Sequence, residues 1–223
     1  MTRVFLEALP FALGGMVSPT LLALSMLIMA SPDRGRLKGL CYFLGTLVFS
    51  VLFVVALHLF LHSLGMAQPD KAKEQVEAII DIVIGALLVL WAIVRVLRGT
   101  PPPKMKHEDR ARKPMSLGAA FVAGFVMMSV NFSTLPLYAL AVRVVDKSSL
   151  AMTDKLIEFA LITVIILVPA WLPVALAYIA PQQSRRILDA LRGFLTRHAR
   201  LIITIILAGF GFYLIIKGGP KLW

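Results

Sequence analysis

The chain has 223 residues, of which 59% are hydrophobic, and its mean hydropathy is +0.85. Apolar stretches of about twenty residues or more recur along it, which indicates an integral membrane protein and excludes an ordinary soluble domain. The formal net charge is +11, but the basic residues lie in short loops, so there is no soluble basic domain that would bind nucleic acid.

Six apolar spans follow one another, and we predict each as a transmembrane helix because backbone amides in hydrocarbon must bond within their own segment. They cover residues 5–30, 39–61, 76–97, 117–142, 156–179 and 201–216. The spans are too long for barrel strands and lack an alternation of period two. The fifth carries Pro169 and Pro173, which predict a kink. The predicted fold class is therefore an all-α membrane protein with six transmembrane helices.

The spans divide into two sets of three. We predict residues 1–98 as a first three-helix repeat, 99–116 as a basic, proline-rich cytoplasmic linker, and 117–223 as a second three-helix repeat. An odd number of spans per half makes the second half enter the membrane in the opposite orientation, so that any repeat is an inverted one.

The charged residues predict the orientation. The loops after spans one, three and five, together with Arg95 at the inner end of span three, hold 15 of the 23 Lys and Arg residues and 4 of the 12 acids, so the whole net charge of +11 lies on one face. By the positive-inside rule this face is cytoplasmic. We expect a multi-pass protein of the plasma (inner) membrane with both termini outside. This positive charge is explained by its role in orienting the chain in the membrane and by its attraction to anionic lipid head groups.

Helix-breaking residues interrupt the first and fourth spans near their middle. Gly15, Ser18 and Pro19 stand together in the first span, and Asn131 and Ser133 in the fourth. Proline removes a helical amide, and neighbouring polar side chains can bond the groups that it frees. Breaks at the same depth in corresponding spans indicate the substrate site of an inverted-repeat transporter. These five residues are therefore candidates for substrate binding, the alternative being that the polar ones pack the helices together.

Two pairs of ionisable residues lie near the outer ends of spans two and three. His58 and His62 share a helix face, as do Glu77 and Asp81, because residues four apart are neighbours on a helix. Nitrogen and oxygen ligands of this kind suit a divalent metal, but solvated side chains at the membrane interface also explain them, and we predict no metal site. Asp81 lies about one turn inside its apolar run, which makes it a candidate for proton coupling.

Arg34 and Arg36 lie at the predicted inner end of span one, where they are candidates for contact with the phosphate of a lipid head group. The alternative is that these two arginines only set the orientation of the chain in the membrane.

Cys41 is the single cysteine, which excludes an internal disulfide and a two-cysteine redox relay. No nucleophile with a paired base, phosphate-binding glycine loop or cofactor motif occurs. We therefore expect no enzyme activity and no cofactor.

Short motifs link the sequence to a known family. Residues 15–19, 31–36 and 43–45 resemble the first half of the glycolipid-addressing (GAP, or sulfolipid-1-addressing) proteins of the LysE transporter superfamily, and residues 191–198 and 211–218 resemble their last loop and helix. One departure occurs in the second half. There the superfamily often reads Asn-Pro-Lys, whereas Asn131 is followed by Phe132 and Ser133.

This resemblance implies six helices in two inverted repeats and a role in moving envelope lipids or glycolipids outward from the inner leaflet. The expected partners are the lipid or glycolipid substrate and the bilayer, with a homo-oligomer left open. Two alternatives also stay open. One is a small-solute or divalent-metal exporter of the same superfamily, dependent on His58, His62 and Asp81. The other is a membrane accessory subunit that transports nothing.

Overall fold

The structure, a computed structural model, describes residues 2–31, 33–63 and 115–179, with scattered helical positions between 82 and 94 and between 190 and 216. The chain forms two compact units, Met1–Leu59 with Met105–Thr196, and Phe60–Lys104 with Arg197–Trp223. Each unit combines segments from both predicted halves, and the repeat boundaries stay a prediction. The candidate site lies in the first unit.

Seven α-helices make up the three continuous described segments, in which no strand occurs. They are α1 (Thr2–Met16), α2 (Pro19–Met29), α3 (Gly35–Ser63), α4 (Leu117–Ser129), α5 (Leu135–Asp146), α6 (Met152–Ile166) and α7 (Val168–Ile179). Helix α3 has 29 residues and is long and apolar enough to cross a membrane, and the bent pairs α1–α2 and α6–α7 qualify when each is taken as one span. The all-helical prediction is confirmed for these segments. Six spans and inverted repeats stay predictions.

The first predicted break is present. Helix α1 ends at Met16 and α2 begins at Pro19, with a bend of 55° between them. Proline suits the first position of a helix because its missing amide would have no partner there. The side chain of Ser18 caps α2 by accepting a hydrogen bond from the Leu21 amide at 3.5 Å. The short gap therefore bends the chain without uncapping α2.

The second predicted break is longer. Helix α4 ends at Ser129, and α5 begins at Leu135 with Pro136 in its first turn. Between them, the carbonyl oxygen of Asn131 accepts the amides of Thr134 at 3.1 Å and Leu135 at 3.0 Å. Residues 130–134 thus form a turn in the middle of the predicted fourth span.

A third bend divides the predicted fifth span. Helices α6 and α7 meet at 71° on either side of Leu167. Pro169 explains the position, because proline donates no amide hydrogen bond and restricts the residue before it. The indole Nε1 of Trp171 donates to the Val164 carbonyl at 2.9 Å, which supplies a donor next to the break. Pro173 lies inside α7.

Two glycines set the packing of α3 against α4. A Cβ on Gly45 would lie 2.0 Å from the carbonyl oxygen of Phe121, and one on Gly124 would lie 2.0 Å from that of Tyr42. Small residues at both contacts let the two backbones approach closely.

Helices α3 and α5 run in the same direction. The hydroxyl of Tyr138 donates to the Ser50 carbonyl at 3.5 Å, and the Nδ1 atom of His58 pairs with Oδ1 of Asp146. Both contacts join residues 88 positions apart, so the two helices are parallel and in register. In the predicted topology successive spans alternate in direction, so spans two and four are also expected to run in the same direction.

Candidate functional site

The two breaks meet in a buried polar cluster, the break junction, which consists of Gly15, Ser18, Asn131, Ser133 and Thr134. Asn131 Nδ2 donates to Ser18 Oγ at 2.8 Å, and Ser133 Oγ donates to Asn131 Oδ1 at 2.7 Å. Thr134 Oγ1 donates to the Gly15 carbonyl oxygen at 3.0 Å. Ser18 and Thr134 are fully buried, and Asn131 is 4% exposed. The structure thus brings four of the sequence-predicted site residues into one hydrogen-bonded group.

Pro19, the fifth candidate at the breaks, explains why Thr134 joins this group. In a continuous helix the Gly15 carbonyl would accept the amide of residue 19, but proline has no amide hydrogen. The hydroxyl of Thr134 supplies the missing donor from the other break. Pro19 therefore positions the junction through the backbone.

The break junction contains only neutral hydrogen-bonding groups. The Asn131 amide nitrogen carries two hydrogens, of which one is used by Ser18. Hydroxyl and amide groups of this kind can bind the oxygen atoms of a polar ligand, but they include no base or nucleophile pair for catalysis. The arrangement suits binding of a polar ligand.

The second break also presents apolar side chains to its surroundings. Phe132 is 70% exposed and Val130 is 50% exposed, on either side of the buried Asn131. Within a single turn the chain therefore changes from a buried polar group to an open apolar surface. Such a surface suits contact with lipid tails.

Arg34 and Arg36 do not reach the break junction. Both are exposed near the turn between α2 and α3, where Arg34 has a positive φ of 47° and the Arg36 guanidinium lies 5.8 Å from the ring centroid of Tyr178. Beside them, Lys38 is buried and donates to Ser31 Oγ at 3.0 Å. Helix α2 has 11 residues and separates this basic end from the junction by about 16 Å.

The candidate metal ligands are only partly described. His58 pairs with Asp146, which is 5% exposed, while His62 is exposed to solvent. Glu77 and Asp81 lie outside the described residues, and with them the proton-coupling prediction. In the described part of the chain no group of three or more His, Cys, Asp or Glu side chains is arranged to hold a metal ion.

Sequence reasoning missed a row of polar side chains that continues from the junction. Tyr138 Oη and Thr163 Oγ1 lie 2.6 Å apart, and both residues are buried. Glu158 is buried as well, with 1% exposure. The sequence spacing could have indicated part of this row. Thr134, Tyr138 and Asp146 are four and eight residues apart, which places them on one face of a helix. Glu158 is visible as an ionisable residue inside the fifth apolar span.

Comparison with known protein families identifies a similarity over most of the chain. No curated protein and no solved structure matches the chain. A family model described as Sap, sulfolipid-1-addressing protein, matches residues 8–219 and so includes both breaks. With a helix that can cross a membrane and the motifs that resemble glycolipid-addressing proteins, this membrane protein belongs to the sulfolipid-1-addressing (Sap) family.

Proposed function

We propose that the protein is a transporter that moves an anionic lipid or glycolipid from the inner leaflet toward the cell envelope. In this proposal the lipid head group crosses the middle of the bilayer at the break junction. The observation that carries the proposal is the contact between the breaks. Asn131 and Ser18 form a buried polar centre beside Phe132, which is exposed.

The lengths of the helices support a central position for the junction. Helix α2 has 11 residues on one side, and α5 has 12 on the other, which correspond to about 16 Å and 18 Å. Together they span roughly the 30 Å thickness of a bilayer hydrocarbon core. Arg34 and Arg36 lie just beyond the end of α2, and Asp146, which pairs with His58, lies at the end of α5.

The two kinds of surface at the second break suit the two parts of a lipid. The neutral donors and acceptors of the junction can replace the hydration of a head group, while Phe132 and Val130 face the tails. The junction is closed in the structure by the Ser18–Asn131 and Gly15–Thr134 hydrogen bonds. Passage of a head group requires both contacts to part.

The basic end supports an anionic substrate. The family description names a sulfolipid, a class whose head group carries a sulfur oxyanion. Guanidinium groups bind such oxygens in pairs through parallel hydrogen bonds. Arg34 and Arg36 are exposed at the end that the positive-inside rule assigns to the cytoplasm, and they are placed to collect the lipid from the inner leaflet.

The proposal includes six helices in two inverted repeats, as in the LysE superfamily, with both termini outside. When residues 15–22 are aligned on residues 128–135, Ser18 falls opposite Asn131, and these two residues are hydrogen-bonded to each other. Contact between equivalent positions is expected where a pseudo-two-fold axis passes between repeats. The opposite directions of the chain at the two breaks, where Gly15 meets Thr134 and Ser18 meets Asn131, agree with such an axis.

Reconstitution tests this function. The purified protein is placed in phosphatidylcholine vesicles that contain a trace of fluorescent phosphatidylglycerol, and exchange between leaflets is followed with a membrane-impermeant quencher. We expect the protein to accelerate exchange of the anionic label more than that of a fluorescent phosphatidylcholine. Arg34→Gln with Arg36→Gln should remove this preference. Arg3→Gln, at an arginine with 93% side-chain exposure, is the matched control.

Two results would contradict the proposal. One is a rate of lipid exchange equal to that of protein-free vesicles. The other is movement of zinc or another divalent metal across the same vesicles that depends on His58 and His62, which would favour the metal exporter. Lipid exchange that survives His58→Ala with His62→Ala, together with no metal movement, supports the lipid transporter.

A further inference from the structure

Helix α6 contains a buried carboxyl group without a hydrogen-bond partner. Glu158 is 1% exposed, and both of its carboxylate oxygens are inaccessible and unpartnered in the described structure. An ionised carboxylate is costly in an apolar environment unless an ion or several donors compensate it. A position of this kind in a membrane protein indicates a functional group that binds a proton or a cation.

The surroundings of Glu158 favour a proton. The adjacent Phe159 packs against His58, with ring centroids 6.4 Å apart, and His58 is engaged by Asp146. Lys155, one turn before Glu158, donates to the Asp146 backbone oxygen at 2.5 Å. No described group of three ligands could hold a metal ion here.

Several other charged groups lie on α6 or on the helices packed against it. Arg3 and Glu7 on α1 form an exposed pair at 3.4 Å. Asp154, in the first turn of α6, lies four residues before Glu158. The remaining His, Arg, Lys and Asp side chains of α3, α5 and α6 at this end are His58, His62, Arg143, Asp146 and Lys155.

Helix α6 also contacts Gly15 of the break junction and the helix that follows the second break. A Cβ on Gly15 would lie 3.5 Å from Ile166 Cγ1, and Thr163 is hydrogen-bonded to Tyr138 of α5. A shift of α6 would therefore reach α1 and α5 together. The bend of 71° after Ile166 separates this helix from α7.

We propose that Glu158 binds and releases a proton during transport and thereby couples lipid movement to a proton gradient, which rests on the proposed function. In the step, a hydronium ion transfers a proton to the carboxylate: an O–H bond of the hydronium ion breaks and leaves water, an O–H bond forms on the carboxyl group, and release of the proton reverses both changes. The neutral acid favours the closed arrangement described here. The carboxylate favours one in which α6 exposes Glu158 to water and the breaks separate.

Infrared spectroscopy of the purified protein tests proton binding without any lipid transport. We expect a carbonyl band of a protonated carboxylic acid that changes with pH, is lost in Glu158→Gln and is kept in Glu7→Gln. The same band in Glu158→Gln would overturn the proposal. If this variant does not fold, the wild-type protein is labelled with dicyclohexylcarbodiimide, which adds to protonated carboxyl groups in apolar surroundings. Modification of Glu158 ahead of Glu7 and Asp154 supports the proposal, and its absence contradicts it.

The vesicle assay with an imposed pH gradient tests coupling. We expect the gradient to accelerate exchange of fluorescent phosphatidylglycerol by the wild-type protein and to have no effect on Glu158→Gln. Wild-type exchange that is independent of the gradient would overturn coupling and leave the proposed function intact. No wild-type exchange at all would overturn the proposed function and coupling together, while the infrared result would still decide whether Glu158 is a proton site.

Discussion

The two helix breaks satisfy their polar groups in opposite ways. At the first, Ser18 caps the helix that follows it, within a gap of two residues. At the second, Thr134 makes no side-chain cap on α5 and donates instead to Gly15 of the first break. The first break therefore caps its following helix with its own side chain, whereas the second leaves the α5 end without a side-chain cap and uses Thr134 to satisfy the Gly15 carbonyl of the first.

This difference indicates which part moves when the junction opens. Separation of the breaks leaves the Ser18 cap on α2 intact, but it leaves the Gly15 carbonyl and the side chains of Asn131 and Thr134 in need of new partners. The oxygen atoms of a head group, or the water that accompanies it, can supply them. We therefore expect the second break to be the responsive one, and its exposed Phe132 to face the tails of the lipid.

The largest effect is expected from Asn131→Leu. Leucine removes both hydrogen bonds of the amide, so we expect the free energy of unfolding to fall by about 1–3 kcal/mol and lipid exchange to be lost. Thermal unfolding in detergent and the vesicle assay measure the two quantities. Ser133→Ala, which removes only the donor to Asn131 Oδ1, is the matched control and should cost less. Wild-type stability and exchange in Asn131→Leu would show that the junction is not needed.

A smaller effect is expected from Pro19→Leu, at the break that caps its following helix with its own side chain. Ser18 can still cap α2, and we expect a loss of about 0.5–1 kcal/mol through the added freedom of the unfolded chain. The new amide can donate to Gly15, so Thr134→Val should cost less in this background than in the wild-type protein. A double-mutant cycle of unfolding free energies measures the difference. Strictly additive costs would contradict the link between Pro19 and Thr134.

The smallest effect on stability is expected from Phe132→Ala. Because this side chain is 70% exposed, the free energy of unfolding should stay within about 0.5 kcal/mol of the wild-type value, while lipid exchange slows. Val126→Ala, at a side chain of α4 with 48% exposure, is the control and should change neither quantity. Equal slowing in both variants would remove the special role of the second break.

The sequence predicted features that depend on local chemistry. Pro19 and Pro136 mark the starts of α2 and α5 because proline acts on its own turn of helix, and Pro169 likewise predicts the bend near Leu167. The length of the second break could not be predicted from the local sequence, because it depends on the contact of Thr134 with Gly15. These two positions are 119 residues apart in the chain.

The partners of the ionisable residues could not be predicted for the same reason. His58 and His62 are neighbours along one helix, yet His58 pairs with Asp146, 88 residues away. That pairing depends on the parallel register of α3 and α5. Burial of Glu158 depends on how α6 packs on its neighbours, which a single apolar span does not specify.

A reversible cross-link between the breaks tests the central claim most directly. A Cβ on Gly15 would lie 3.7 Å from Leu137 Cβ, within the usual range for a disulfide, and neither side chain belongs to the polar contacts of the junction. In a Cys41→Ser background, we expect Gly15→Cys with Leu137→Cys to form a cross-link on oxidation that stops lipid exchange, with recovery after reduction. Oxidation of the single-cysteine variants should have no effect. Failure to cross-link, or full exchange by the cross-linked protein, would contradict a junction that must open to pass a lipid.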